Sequence, residues 1–463
     1  MVVTRGGFSQ VVGNAFAGLG FAPEGPSVYE FPIEMFVGLS DLTPINENID
    51  KIIYGLTKWQ PKVTEKGILS PGKNIVVQGK DYQEAVANMN NLFLRNMWSD
   101  GLPLVPATTE QVDWILTGTD LPPDTVVSKI GPRGGIGSVE AIAISLALAG
   151  GRPEYLPVLI AAVEVLDKDD WRGIKEWNAT TCATIPAVIV NGPIGQQIRL
   201  NSGYGCLGPD PQHPAGGSIG RALRIILQDL GGGIPGIGTM AMYGAMRYTN
   251  MVFAEDEAGI GEGWEPLNVS YFGQPKGTNT ASSFICTSVE NLEGAIKAPL
   301  GPKGVLMQHA RMMGAPRRNR YGTLHGFGEG TTGVLLWPRG IAKPVAADLG
   351  WSRIQAQEYL WENSKVPWLD VERVYNAQDE IEGYLKAWGP TLVRGEPWPI
   401  TGKPENIPIV VCGGSQSGHS HWLSTNDGYK PGCVEIKLPA EAKWDALLKQ
   451  AETDLGPIPP PML

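Results

Sequence analysis

Short apolar runs closed by glycine or proline alternate along this chain with segments of helical period, and no other feature constrains the fold as much. AVIVNGP (187–193), TGVLLWP (332–338) and residues 407–412 read as strands with both faces buried. Between such runs, DYQEAVANMNNLFLRNMW puts Ala85, Met89, Leu92, Phe93 and Met97 on one helical face. Residues 138–149 are apolar nearly all round, which predicts a buried helix. Further helices are expected over 154–166, 218–230 and 371–387. The alternation gives an α/β fold.

A chain of 463 residues exceeds what one core usually organises. Two lobes with short buried strands and packed helices are therefore expected. Residues 1–80 read as an N-terminal arm or extended segment, 81–255 as a first α/β lobe with glycine-loop/helix units, and 256–463 as a second ending in the strand–GGSQSGHSH loop. The 60 glycines and 38 prolines are spread rather than bunched, which excludes collagen and low-complexity linkers. Two of the glycine-rich stretches resemble each other. GGIGSVEAIAISLALAGGRP (134–153) laid on GGSIGRALRIILQDLGGGIP (216–235) matches at seven of twenty positions, which admits an internal duplication. Five of the seven are glycine or proline, so chance accounts for the likeness equally well.

The net charge of −10 disfavours nucleic acid as a partner, because phosphate binding needs a basic surface. Arg311, Arg317, Arg318 and Arg320 are a local exception, read as a solvated or inter-subunit face or as an anion patch. Five scattered cysteines with no CxxC suit free thiols in a reducing compartment. No run of eighteen apolar residues occurs and the N-terminal stretch is a poor signal core, so a cytoplasmic protein with no membrane partner is expected.

Three places carry residues suited to chemistry. The first is the pair of glycine stretches, where backbone N–H groups at a helix start favour an anion. Arg133, Gly134 and Gly135 belong to one, Ser218 and Arg221 to the other, and Arg221 in a first turn needs an anionic partner. The glycines serve close helix packing equally well. The second is the stretch 177–217, with Asn178, Cys182, Asn201, Ser202, Cys206, Asp210 and His213. Cys206 is the nucleophile candidate and His213 a base, if the fold brings them together. The third is IVVCGGSQSGHSHWL (409–423), a strand running into a loop with Ser415, Ser417, His419 and His421. Two histidines two residues apart serve as acid–base groups, or as half of a divalent metal site completed by Glu255, His309, His325 or a cysteine. The triplet 255–257 (EDE) reads as a solvated face, and His325 with Glu329 as a tight turn or a cleft wall.

WSDGLPLVPATTEQV (98–112), PRGGIGSVEAIAISLALAGGRPEYLPV (132–158), IVNGPI (189–194), GSIGRALRIIL (217–227) and ADLGWSRIQAQEYLWENS (347–364) together resemble a bacterial group associated with UGSC proteins. The likeness spans about 75–440. That group carries a Sec/Cys-Gly-Ser-Cys motif in a small thiol-redox-like domain, on the same or a neighbouring chain. Here the nearest string is Cys412-Gly413-Gly414-Ser415, without the second cysteine. The resemblance implies a heteromeric oligomer with a small thiol- or selenol-bearing partner subunit and transfers no catalytic residue. Three functions follow as expectations. One is thiol-dependent redox chemistry on a small anionic organic molecule. Another is lyase- or hydratase-type proton transfer, with or without a metal. The last is a non-catalytic scaffold subunit. The expected site lies where the 177–217 stretch, the glycine loops and the 412–421 loop meet. Arg133 and Arg221 would orient the substrate there.

Overall fold

The structure is a computed structural model describing residues 2–5, 8–18, 21, 28–31, 41–60, 74–168, 178–182, 184–241, 243–244, 251–294, 300–315, 330–374 and 378–459. The fold is α/β. The described part of 1–80 is not only extended, since it includes helices Ser9–Gly18, Thr43–Glu47 and Ile49–Thr57 beside a parallel pair, β1 (Val2–Arg5) and β2 (Val28–Phe31). The helix expected after Asp81 runs Tyr82–Arg95. The Asp81 carboxylate accepts from Glu84 N at 2.8 Å, which satisfies one orphan amide of the first turn, and the Glu84 carboxylate reaches back to the amide of Lys80 just before the cap.

A hairpin follows, β3 (Val126–Ile130) with β4 (Gly135–Ser138), and then the main sheet. Its strands are β5 (Ile185–Asn191), β6 (Met251–Ala254), β7 (Thr280–Glu293), β8 (Thr331–Trp337), β9 (Ile409–Val411), β10 (His419–Tyr429) and β11 (Cys433–Glu435). The order is β6-β5-β7-β10-β8-β9, with β11 on β7. β5–β6 and β8–β9 are parallel, and the remaining pairings are antiparallel. Strands from both sides of residue 255 share this sheet, whereas the helices covering it are mostly segregated by that boundary.

Period-two alternation sorts the side chains. Ile185, Ala187, Ile189, Phe253, Phe284, Leu336, Val410 and Leu423 enclose one core on the inner side of the curled sheet. Val188, Val190 and Val252 face helices Val139–Leu148, Leu156–Asp167 and Ala215–Ile225. Leu335, Trp337, Ile409, Val411 and Trp422 face helices Gly301–Gly314, Arg339–Asp348 and Arg353–Asn363. With both faces covered, β5 and β8 bury every residue, which is why they read as unbroken apolar runs. The curl brings the ends of the outermost strands together. Asp256 N–H donates to Val411 O at 2.7 Å, and Gly413 N–H to Ser202 O at 2.9 Å.

Of the internal likeness, the helices remain and the glycines differ. Gly134 and Gly135 lie in the β3–β4 hairpin, whereas Gly216 and Gly217 lie inside helix Ala215–Ile225.

Candidate functional site

Two cavities open where the strand ends meet, and residues 201–213 wall both. The larger, of about 500 Å³, sits beyond the ends of β5 and β6. Strand carboxyl ends are where open α/β sheets deliver ligand-binding groups. The chain leaves β5 through Gly192, whose φ of 92° and crowding against Asn279 require glycine. Its N–H donates to Glu257 Oε1 at 2.7 Å.

The acidic triplet is not a solvated face. Glu255 is buried and accepts from Asn191 Nδ2 and Leu267 N, each at 2.7 Å, and from Val411 N at 3.3 Å. Arg353 lies 3.9 Å from it. Burial pushes the Glu255 carboxyl above its usual range, although Arg353 and these donors pull the other way. Asp256 takes both arms of the Arg339 guanidinium at 2.7 Å. Only Glu257 faces the cavity with neutral donors alone, since Asn191 Nδ2 is its other partner at 3.2 Å.

Opposite stands a histidine held by a carboxylate. His213 Nδ1 lies 2.6 Å from Asp210 Oδ2. Asn201 Nδ2 donates to that oxygen at 2.9 Å and to Tyr204 O at 2.8 Å, while Asn201 Oδ1 accepts from Gly203 N. Asn201 is therefore spent on bracing the loop and aiming Asp210. That contact leaves Nε2 as the ring nitrogen without a partner among the described residues. Ser202 lines the same cavity.

Arg199 completes the wall. It is buried and holds a left-handed φ of 60°, a conformation rare outside glycine and asparagine. Its guanidinium donates to the carbonyls of Gly456 and Pro457, which bring Ile458 and Pro459 against the cavity. Among the described residues no carboxylate neutralises it.

The second cavity, of about 430 Å³, is lined by Cys206, Cys412, His419 and His421 over an apolar floor including Leu207 and Leu336. Gly414, at φ 91°, lies flat against the Tyr204 ring, where a Cβ would come within 2.9 Å. This close approach and the Gly413–Ser202 hydrogen bond seat the 201–206 segment on the end of β9. Cys206 and Cys412 are near neighbours in the core cluster beneath this cavity, close enough for one thiol to act on the other. The Cys206 thiol and burial hold Cys412 protonated well above the usual thiol range. His419 and His421 belong to β10 rather than to a loop, on the inner side of the sheet with Leu423. His419 Nδ1 lies 3.2 Å from Asn291 Oδ1. His309 packs on the opposite face, its Nδ1 accepting from Trp337 Nε1 at 3.2 Å, and burial pushes its pKa down to about 4. The sheet thus separates it from the other two histidines, and no group of three or more metal-ligating side chains forms among the described residues.

The structure therefore brings together Cys206, His213, Asn201 and Ser202 with His419 and His421, at two adjoining cavities. The glycine stretches lie elsewhere. Asn178 Nδ2 donates to Gly131 O and Leu227 O, Arg133 N–H to Gly231 O, and Gly135 packs on Leu230. Ser138 does cap its helix, through Ala141 N at 3.2 Å. Ser218 lies inside helix Ala215–Ile225, and so does Arg221, beyond the first turn. The carboxylate that Arg221 needed is Asp100, at 2.9 and 3.1 Å. Ser415 and Ser417 occupy the segment beside helix Arg339–Asp348, where Arg339 N–H donates to Gly414 O. Arg317, Arg318, Arg320, His325 and Glu329 lie outside the described residues. Arg199 and Arg339 were missed, and Glu257 was read as part of a solvated face. One signal for the acidic triplet was available, since EDE directly follows the apolar run MVFA and so marks a strand end.

Comparison with known protein families, with curated proteins and with solved structures gave no match to this chain.

Proposed function

We propose that the protein is an enzyme that transfers protons on a small organic anion in the larger cavity, as a lyase or hydratase does. The observation that carries this reading is the Asp210–His213 contact at 2.6 Å, braced by Asn201, on a cavity of about 500 Å³. His213 Nε2 acts as general base and then as general acid. Asp210 fixes the tautomer and stabilises the imidazolium formed on the way. Arg199 supplies the positive charge that selects an anionic substrate, and Ser202 a hydroxyl beside it. Cys206 has no part in this chemistry. The redox alternative with a partner subunit draws instead on the neighbouring cavity.

The test is proton exchange. A panel of small hydroxy, keto and unsaturated carboxylates is incubated with the protein in D₂O and followed by NMR. The wild type incorporates deuterium into at least one of them. His213→Gln lowers that rate by about 10²–10⁴-fold. Arg199→Gln raises the substrate concentration needed for half-maximal rate. Absence of exchange across the panel, or exchange unchanged in His213→Gln, would reject the assignment.

A further inference from the structure

We infer that Cys206 and Cys412 form a second reactive site, a dithiol that reduces small disulfides and closes into an intramolecular disulfide. Three observations carry it. The two cysteines come from segments far apart in sequence, yet share one core cluster, their segments pinned together by the Gly413–Ser202 hydrogen bond and by Tyr204 on Gly414. Both thiols line one cavity of about 430 Å³, large enough to admit half of a small disulfide. Its floor is apolar and its rim carries His419, which is exposed, so the cavity suits an organic molecule with a polar end.

Contrast with the other cysteines sharpens the case. Cys286 is fully enclosed and burial pushes its thiol up, while Cys182 and Cys433 do not line this cavity. Only at Cys206 and Cys412 are two sulfurs presented together to a cavity among the described residues.

The chemistry balances without another reagent. Cys206 Sγ attacks one sulfur of the small disulfide. A protein–ligand S–S bond forms, the ligand's own S–S bond breaks, and the departing thiolate takes up the proton that Cys206 released. Cys412 Sγ then attacks Cys206 Sγ. The intramolecular S–S bond forms, and the second half leaves as a thiol carrying the Cys412 proton. Two protein thiols are oxidised and one disulfide is reduced to two thiols. Cys412, which directly follows β9 and is the more buried of the two, is the resolving partner.

The experiment uses cystamine on the full chain carrying Cys182→Ser and Cys433→Ser, because those two thiols are partly exposed. Intact mass and peptide mapping are the readouts. The expected result is loss of two hydrogens, with Cys206 and Cys412 recovered in one cross-linked peptide. Adding Cys412→Ser is expected to trap one cysteamine on Cys206. Three results would overturn the inference: both thiols still reduced after treatment, a mixed disulfide that never resolves in the parent, or no cysteamine on Cys206 when Cys412 is replaced by Ser. Since the parent alone gives a decisive answer, a misfolded variant does not weaken the test. Exchange in D₂O by His213 is scored separately, so either site can fail without the other.

Discussion

At the scale of single residues, the most informative group outside the two cavities is Asp229. Burial and the nearby Asp100 push its carboxyl to about 7, with Gln228 and Arg133 acting in the opposite direction. A carboxyl whose folded-state pKa is raised binds its proton more tightly in the native protein. Its contribution to stability is full below about pH 4 and is lost as pH rises through about 7. Asp229→Asn removes that dependence. The urea midpoint of the wild type should therefore fall relative to the variant between pH 4 and 7, by on the order of 2–4 kcal/mol in unfolding free energy. Parallel curves for the two proteins would show that Asp229 ionises normally. The neighbourhood also explains a misreading. Arg133 is exposed and looked free to bind substrate, but its charge acts on Asp229, whose place beside it nothing in either local sequence announces. Cys206 and His213 were legible because reactive side chains crowd a long polar loop. Asp210 became meaningful only when its distance to His213 was known.

At the scale of elements, strands with two buried faces were readable from composition alone, and β5, β8 and β9 appear close to where their apolar runs lie. The HSH pair was harder. Its residues alternate polar and apolar less clearly than a half-buried strand should, because His419 is exposed while Ser420 is buried among the helices behind the sheet. A glycine pair just before it suggests a loop, and a loop is there, but it ends at Gly418, so the histidines already belong to the next strand. The meeting of the β6 and β9 ends rests on Glu255, which joins Asn191, Leu267, Val411 and Arg353. Replacing Glu255 by Ala leaves Arg353 buried with its charge unpaired. A loss of about 3–5 kcal/mol is expected from urea denaturation. Pairing Glu255→Leu with Arg353→Met should recover much of it, since an apolar pair removes both charges together. If the double variant is no more stable than the single one, the strand junction itself, rather than the ion pair, sets the cost.

At the scale of the molecule, the order β6-β5-β7-β10-β8-β9 places a late strand in the middle. None of this was visible in the sequence, where neighbouring apolar runs suggest neighbouring strands. β10 bridges β7 and β8 through registers such as Leu423 opposite Val289 on one side and Val334 on the other. Pulsed hydrogen exchange during refolding should show β5 and β7 amides protected in one phase and β8 and β9 in another, with β10 protected only as the two coalesce. A single phase for all would contradict this. During synthesis the same topology creates an interval of exposure. Until residue 419 has emerged, β7 and β8 each present an unpaired edge that nothing made so far covers, and such edges recruit strands from other chains. The time that the intervening 80-odd residues take to appear, at roughly 5–20 residues per second, is the interval in which aggregation competes with folding.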